Sequence, residues 1–445
     1  MSDFDGSANG STTTDSAPAA AGIGRERQAA IYRAGAFGRK PEIPTDFATL
    51  ERQAQRKASV RGWAYCAGGA GEGATMRANR AAFERWAIVP RVLRDVSSRD
   101  LSVELFGRRI PAPVLFAPVG ASELLHPEAD RGIAQAAAEL GVPYVFSSQS
   151  CFSMEECAAV MGDQPRWFQL YWSTDDGLVD SFVRRAEAVG CEAIVVTLDT
   201  TLLGWRPQDL NIGSLPFSRA EGIAQYLSDS RFWQMVRDRV ANGERAAEAE
   251  DVEVTLGALK TLRSIARKAP GNFFRNLVAP EPRAAVETFL ETYSRPSLTW
   301  NDIATLRDRT ALPILLKGVL HPDDARRAVD MGLDGLVVSN HGGRQVDGAI
   351  SSLDALGPIA DAVGSDTTLL LDSGVRTGSD VFKALALGAD AVLIGRPHIY
   401  GLALAGASGA RDAVANIIAE LDLTLGLSGL RRASEITDEA LRRMG

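Results

Sequence analysis

Cysteine and histidine are both scarce in this chain, with four of each among 445 residues. The cysteines form no C-x-x-C pair and have no histidine at zinc-ligand spacing, so the sequence indicates neither a metal site nor a disulfide framework. Unpaired thiols are typical of a reducing compartment, and we therefore expect a cytoplasmic protein.

Excess positive charge and long apolar segments are lacking as well. The 48 Lys and Arg residues are outnumbered by 56 Asp and Glu residues, and the net charge of -8 excludes a basic surface for nucleic acid. No apolar stretch reaches the roughly 18 residues that a membrane-spanning helix needs. Residues 1–25 have no apolar core of a signal peptide and are rich in Ser, Thr, Gly and Ala, so we predict a disordered tail.

The chain does contain a regular alternation of short β-branched runs with longer amphipathic stretches, which is typical of βα units around a parallel sheet. Eight such runs occur, at 113–119, 143–148, 167–172, 193–199, 313–319, 335–341, 368–374 and 391–396. Eight parallel strands are the number that closes a TIM (β/α)8 barrel.

We therefore predict an α/β chain with a TIM barrel over residues 111–430. An N-terminal helical, capping segment over 26–110 precedes it, and a C-terminal tail over 431–445 follows it. A long insertion after strand 4, at about 203–300, interrupts the alternation. Its mixture of charged and aromatic stretches favours a partly mobile lid, which would gate access or mediate assembly.

Polar side chains stand at the carboxyl ends of the predicted strands, which is where such barrels carry their chemistry. A single polar strand end is explained equally well by contact with solvent. Seven ends that carry different chemical groups favour a shared site. These residues are Ser147, Gln169, Tyr171, Thr197, Asp199, Lys317, Ser339, His341, Asp372 and Arg396. Lys317 lies within an apolar run and requires a charged partner.

Two loops near the end of the barrel have the composition of an anion site. "DSGVRTGSD" follows the seventh run and "GRPHIYG" follows the eighth, where TIM barrels commonly bind phosphate. Ser373, Gly374 and Gly395 would let backbone N–H groups approach, while Arg376 and Arg396 would supply charge. The residues predict a bound phosphate but leave open whether it belongs to substrate or cofactor.

Longer motifs carry a family resemblance. "SNHGGRQVDGAISSLDAL", "DSGVRTGSDVFKALALGADAVLIGRP", "FQLYW", "LLKGVLHPDDA" and "YCAGGAGEGATMRANRAAFERW" resemble the FMN-dependent α-hydroxy-acid oxidase and dehydrogenase family over roughly residues 45 to 430. Within it, "TLDTTLLGWRPQDL", the insertion and "LDLTLGLSG" most resemble the lactate 2-monooxygenase branch. The resemblance implies an FMN cofactor, a small 2-hydroxy acid substrate and a homo-oligomer, a tetramer or larger.

The resemblance also implies which residues hold FMN. Arg376, Gly395 and Arg396 would bind its phosphate, Asp372 would lie near the ribityl chain, and Lys317 would stabilise the anionic reduced ring. The full set of implied cofactor residues is Pro118, Val119, Gly120, Ser147, Gln169, Thr197, Lys317, Ser339, Asp372, Ser373, Gly374, Arg376, Gly395 and Arg396.

His341 is the predicted catalytic base, because imidazole titrates near neutral pH, and Asp199 would orient it. Arg206 and Arg344 would clamp the substrate carboxylate through their planar guanidinium groups. The family resemblance implies that two tyrosines also contact the substrate. Tyr65 would donate a hydrogen bond to the carboxylate. Tyr171 would contact the substrate hydroxyl and is predicted to be catalytic as well.

The fate of the electrons depends on departures from the broader family. Val119 and Gly120 stand where many members of the family have a Thr-Ala pair. A glycine at this position is similar to the monooxygenase branch and would leave room over the flavin. Gln149 stands where many members have an aromatic residue. We expect oxidation of an L-2-hydroxy acid, L-lactate first, with O2 as acceptor and decarboxylation to acetate, CO2 and water. Release of 2-keto acid and H2O2, electron transfer to a quinone or carrier, and a non-catalytic barrel that binds a phosphorylated ligand stay as alternatives.

Overall fold

A computed structural model describes residues 22–243 and 255–444. Residues 1–21 of the predicted disordered tail lie outside the described residues. The first helix begins at Ile23, within the tail predicted over residues 1–25.

The segment before the barrel is helical at first and then forms short strands. Its elements are α1 (Ile23–Ala36), α2 (Phe47–Lys57), α3 (Val60–Ala67), α4 (Ala74–Glu84), β1 (Trp86–Ile88), β2 (Val103–Leu105) and β3 (Arg108–Ile110). Asp46 and Ser59 begin α2 and α3 with side chains that accept hydrogen bonds from backbone N–H groups of the first turn.

Eight parallel strands close into a barrel, which confirms the predicted TIM fold. They are β4 (Val114–Phe116), β5 (Tyr144–Phe146), β6 (Arg166–Leu170), β7 (Ile194–Thr197), β8 (Ile314–Val319), β9 (Gly335–Val338), β10 (Thr368–Leu371) and β11 (Ala391–Ile394). Each strand pairs with the next in the chain, and β11 pairs with β4 to close the ring.

The strands are apolar throughout because both of their faces are buried. Leu115, Val195 and Val337 belong to a cluster inside the barrel, whereas strand neighbours such as Phe116 pack in the layer beneath the helices. Phe106, in the turn between β2 and β3, lies 5.5 Å from the Trp167 ring, so this hairpin covers the amino-terminal end of the barrel. The carboxyl end of the barrel is not covered by this hairpin, and the candidate site lies there.

The outer ring consists of helices that follow the strands. They are α5 (Ala129–Leu140), α6 (Met154–Met161), α7 (Asp176–Ala188), α15 (Pro322–Asp330), α16 (Ser352–Val363), α17 (Gly378–Ala386) and α18 (Arg396–Leu427). Capping boxes begin α6 and α17. Among the helices of the described residues, none combines the length and the apolar character needed to cross a membrane.

The insertion between β7 and β8 contains α8 (Pro207–Leu210), α9 (Ala224–Leu227), α10 (Ser230–Ala241), α11 (Leu256–Lys268), α12 (Phe273–Val278), α13 (Glu281–Thr292) and α14 (Trp300–Ala304). It packs through aromatic rings: Tyr226 lies 4.7 Å from Phe289 and 5.0 Å from Phe182 of α7. The described parts of the insertion therefore share a core with the barrel. Residues 244–254 lie outside the described residues, and the gating role stays a prediction.

The predicted C-terminal tail contains one paired strand among its described residues. Strand β12 (Leu441–Arg443) pairs antiparallel with β1, with Ile88 opposite Leu441 and Trp86 opposite Arg443. Leu441 is buried by this pairing. The last residues of the chain are therefore joined to the segment that precedes the barrel.

Candidate active site

The carboxyl ends of the barrel strands surround one cavity of about 1060 Å3, a volume that includes open solvent at its mouth. Most of the residues predicted from the sequence line it: Tyr65, Pro118, Val119, Gly120, Ser147, Tyr171, Arg206, Lys317, His341, Arg344, Asp372, Ser373, Gly374, Arg376, Gly395 and Arg396. The other four, Gln169, Thr197, Asp199 and Ser339, do not line the cavity but lie at the same strand ends.

One end of the cavity is suited to an anion. Helix α18 begins at Arg396, so its N-terminal N–H groups lie at this end. Arg376 and Arg396 form no ion pair among the described residues, and the Nε atom of each is buried without a hydrogen-bond partner there. Burial, reinforced by the charge of Arg396, lowers the pKa of Arg376 to about 10. Two such neighbouring cations call for a bound anion.

The loop after β10 approaches the same end with an unusual backbone. Ser373 and Gly374 have φ values of 86° and 88°, in the left-handed region. A Cβ atom on Gly374 would lie 2.8 Å from the carbonyl oxygen of Asn79, so only glycine fits. The Ser373 hydroxyl accepts a hydrogen bond from Gly342 N at 2.9 Å and thereby ties this loop to the one after β9.

Lys317 has the charged partner that its buried position requires. Its Nζ lies 3.1 Å from Asp372 Oδ2 and donates to Ser339 Oγ at 3.0 Å, and Ser339 Oγ donates to Asp372 at 2.6 Å. Burial alone would lower the pKa of Lys317, but Asp372 and Asp199 outweigh it and raise that pKa. The ammonium group is therefore a fixed cation at the centre of the barrel mouth.

His341 and Asp199 form a direct pair, with 2.8 Å between His341 Nδ1 and Asp199 Oδ1. His341 itself has a left-handed φ of 58°, and the two glycines after it share that conformation. Burial would raise the pKa of Asp199, but His341 and Lys317 together lower it, so this carboxylate is ionised. An ionised carboxylate only accepts hydrogen bonds, so Nδ1 carries the proton and Nε2 keeps its lone pair.

The pKa of His341 is lowered by burial, and Lys317 adds to this effect, while Asp199 opposes it. The imidazole is therefore neutral near neutral pH, which is the protonation state that a base requires. Because the same side chain lines the cavity, its free nitrogen is available to a ligand there.

The two arginines of the proposed carboxylate clamp are each anchored through part of the guanidinium group. Arg206 donates from Nε to Arg344 O at 3.1 Å and from Nη2 to Gln345 Oε1 at 2.8 Å. Arg344 donates from Nη1 to the carbonyl oxygens of Tyr65 and Gly68. Arg206 can therefore offer Nη1, while Arg344 keeps the Nε–Nη2 edge that matches a carboxylate.

Tyr65 and Tyr171 are both buried side chains that line the cavity. Arg344 stacks over the Tyr65 ring, with 5.0 Å from its Cζ to the ring centroid. Burial raises the pKa of both phenols well above the ordinary value, so both hydroxyl groups stay protonated and can donate hydrogen bonds.

Sequence reasoning did not single out the cavity residues that come from the loop after β7 and from the insertion. These are Thr200, Leu202, Leu203, Phe217 and Tyr293. The adjacent "TLLGWRP" motif offered a signal for the first three, whereas Phe217 and Tyr293 reach the cavity only through tertiary packing.

Gly120 lies against Gln149. A Cβ atom placed on Gly120 would lie 2.9 Å from Gln149 Cβ. Glycine therefore permits the close approach of Gln149, and the room that it would leave over a flavin stays a prediction. Gln149 itself lines the cavity, and its backbone N–H donates to Ser147 Oγ at 3.1 Å.

Comparison with known proteins adds to this geometry. A family model described as FMN-dependent dehydrogenase matches residues 54–443. The chain belongs to this family. It is 43% identical to an FMN-dependent alpha-hydroxy acid dehydrogenase of Penicillium citrinum, over 94% of this chain and 95% of the relative.

Two further relatives are oxidases. An L-lactate oxidase of Lysinibacillus sphaericus is 41% identical over 87% of this chain and 90% of its own length, and a 4-hydroxymandelate oxidase of Amycolatopsis orientalis is 39% identical over 86% and 94%. A solved structure of mandelate oxidase with (S)-4-hydroxymandelic acid matches with a TM-score of 0.72 and 36% identity, covering 90% of this chain and 98% of that one. The chain is therefore an FMN-dependent α-hydroxy-acid oxidoreductase.

The residues of the cavity fit the FMN cofactor that the family implies. Among the residues predicted to hold FMN, four have a buried side-chain polar atom without a hydrogen-bond partner in the described part of the chain: Gln169 Nε2, Thr197 Oγ1, Arg376 Nε and Arg396 Nε. An amide and a hydroxyl suit the heteroatoms of a flavin ring, and two guanidinium groups suit a phosphate. Buried polar groups are normally paired, so these four atoms indicate a polar ligand with an anionic end.

Proposed function

We propose that this enzyme oxidises L-2-hydroxy acids with a small side chain, L-lactate first, and uses O2 as the electron acceptor. We further propose that the 2-keto acid is decarboxylated before release, so that lactate and O2 yield acetate, CO2 and water. The observation that carries the oxidation is the neutral His341, paired with ionised Asp199, in the same cavity as Arg206 and Arg344.

Bound FMN supplies the two-electron acceptor that the oxidation requires. Its phosphate would be held by the loops after β10 and β11, its ring edge by strand-end polar groups and its face by the loop after β4. Ser373, Gly374, Arg376, Gly395 and Arg396 would hold the phosphate, and Asp372 would lie near the ribityl chain. The ring edge would be bound by Ser147, Gln169, Thr197, Lys317 and Ser339, and its face would be covered by Pro118, Val119 and Gly120.

The substrate carboxylate is bound by the free edge of Arg344 and by Arg206 Nη1, with the Tyr65 hydroxyl donating a further hydrogen bond. Tyr171 donates to the oxygen at C2, and His341 Nε2 accepts the hydroxyl proton. Asp199 stabilises the imidazolium that results, across the 2.8 Å contact. The reaction needs two cations to bind the carboxylate, one base to accept the proton and one carboxylate to orient the base.

Two observations support a small substrate and retention of the product. Gln149 lines the cavity directly beside Gly120, and we infer that its side chain limits the size of the substrate. Leu203, Phe217 and Tyr293 line the same cavity from the insertion, so the keto acid is enclosed from that side. Pyruvate held there together with H2O2 is converted to acetate, CO2 and water, which balances the overall equation with lactate and O2.

The test is an anaerobic reaction of the yellow, FMN-loaded protein with a panel that contrasts L-lactate with (S)-mandelate, followed by admission of O2 and product analysis. We expect L-lactate to bleach the flavin faster and acetate to form in proportion to the O2 consumed. Stoichiometric pyruvate and H2O2 without acetate would refute decarboxylation and support the oxidase alternative. Slow reoxidation by air with fast reoxidation by a quinone would support a dehydrogenase.

A binding protein without catalysis is the remaining alternative. It is disfavoured because a ligand-binding role gives no reason for a neutral base beside an ionised carboxylate. Failure of every 2-hydroxy acid to bleach bound FMN would favour it. The cytoplasmic location and the homo-oligomeric assembly, a tetramer or larger, stay predictions from the sequence.

A further inference from the structure

Gln345 does not line the cavity, but its side chain connects the loop after β9 to four residues of the loop after β7. Its Nε2 donates to the carbonyl oxygens of Asp199 at 2.6 Å and Leu202 at 2.8 Å. Its Oε1 accepts from Arg206 Nη2 at 2.8 Å and from Gly204 N at a longer 3.4 Å. An amide has two N–H groups and two acceptor positions, and all four are used here.

These bonds join the loop after β7 to the loop after β9. The first loop carries Asp199 and Arg206, and the second carries His341 and Arg344. The contact is close, because a Cβ atom on Gly204 would lie 2.5 Å from Arg344 O. Displacement of the Gln345 side chain would therefore move one arginine of the clamp relative to the other.

The neutrality of this side chain is as important as its shape. Arg206 is buried, and burial together with the charge of Arg344 lowers its pKa to about 10. An amide oxygen satisfies one guanidinium nitrogen without cancelling the charge. A carboxylate in the same place would form an ion pair with Arg206 and would compete with an anionic ligand.

We propose that Gln345 is a positioning residue that aims Arg206 at the substrate carboxylate and preserves its positive charge for that purpose. The proposal rests on the proposed function, because it takes a carboxylate as the ligand of Arg206. It predicts that replacing the amide by the nearly isosteric carboxylate harms anion binding more than replacing it by an apolar group.

The test compares Gln345→Glu with Gln345→Leu in the FMN-loaded protein. The measurements are the Kd for oxalate from flavin absorbance, the KM and kcat for L-lactate, and the Tm. We expect about 10-fold weaker oxalate binding in Gln345→Leu and about 100-fold weaker binding in Gln345→Glu, with KM affected more than kcat. Lowering the pH to protonate the new glutamate should narrow the gap between the two variants in oxalate binding.

A purely structural role predicts the opposite order, because glutamate keeps the shape and one acceptor whereas leucine loses every hydrogen bond. The controls are Gln135→Glu and Gln135→Leu, at an exposed glutamine that donates to Glu139 on the outer helix α5. Oxalate binding in Gln345→Glu as tight as in Gln345→Leu would overturn the inference. A wild type that neither binds oxalate nor is bleached by any L-2-hydroxy acid would overturn the proposed function itself.

Discussion

At His341, burial and a neighbouring carboxylate act on the same imidazole in opposite directions. Burial lowers the pKa of the ring and keeps it neutral, while Asp199 offsets part of that effect and holds the proton on Nδ1. The balance suits a group that must be neutral before the reaction and charged after it. Burial and Asp199 shift the pKa of His341 in opposite directions, so their effects can be tested in separate experiments.

Replacing the imidazole should abolish turnover and leave the cofactor in place. We expect His341→Ala to retain FMN, because we propose that Arg376 and Arg396 hold its phosphate, but to lose about 100- to 10000-fold in the rate of flavin reduction by substrate. Stopped-flow absorbance under anaerobic conditions measures this rate. His321→Ala removes an exposed histidine at the start of α15 and is the control. Unchanged reduction in His341→Ala would remove this residue from the chemistry.

The pH dependence should follow the base. Since we propose the neutral form of His341 as the base and burial lowers its pKa, kcat/KM should rise with pH and level off, with a midpoint below the usual value of about 6.5. Asp199→Asn removes the charge that raises this pKa, so its midpoint should lie lower still and its plateau should fall. A midpoint above about 6.5 in the wild type would contradict the burial argument.

At the scale of elements, the sequence predicts what local periodicity determines. The eight strands and the polar residues at their ends follow from short apolar runs, although β4 is only Val114–Phe116 within the run 113–119. The run overestimates the length of β4 because residues 117–119 stay apolar after the strand ends. The packing of Phe217 and Tyr293 over the mouth depends on long-range contacts, which no local pattern encodes.

A second feature beyond reach of the sequence joins helix α4 to the loop that carries His341. Asn79 and Asn340 exchange two side-chain hydrogen bonds, at 2.8 and 2.7 Å, and Asn340 Oδ1 also accepts from Gly343 N at 3.1 Å. Each residue is buried. The residues are 261 positions apart in the chain, so neither signals the other.

Breaking this pair should weaken the fold and the site together. Asn79→Ala leaves the buried Asn340 amide short of a partner, at a cost of about 1–3 kcal/mol, and frees the turn that positions His341. We expect a lower Tm of the FMN-loaded protein and a lower kcat. The matched control is Asn211→Ala, at an exposed position. An unchanged Tm in Asn79→Ala would show that the pair contributes little.

At the scale of the whole molecule, the charge of the cavity lining is opposite in sign to the net charge of the chain. The chain has a net charge of -8, yet Arg206, Arg344, Arg376, Arg396 and Lys317 all line one cavity. Such a concentration of like charge destabilises the folded protein until anions bind. The cofactor is thereby expected to contribute to folding stability as well as to chemistry.

Thermal unfolding of the FMN-free protein tests this linkage. A ligand that binds only the folded state stabilises it by about 2.7 kcal/mol at a concentration 100 times its Kd, so added FMN should raise the Tm. Riboflavin, which has the same ring without the phosphate, should raise it much less. Arg376→Met should reduce the difference between the two ligands, because we propose that this residue binds the phosphate. Equal shifts by FMN and riboflavin in the wild type would mean that the anion site at the start of α18 does not bind the phosphate.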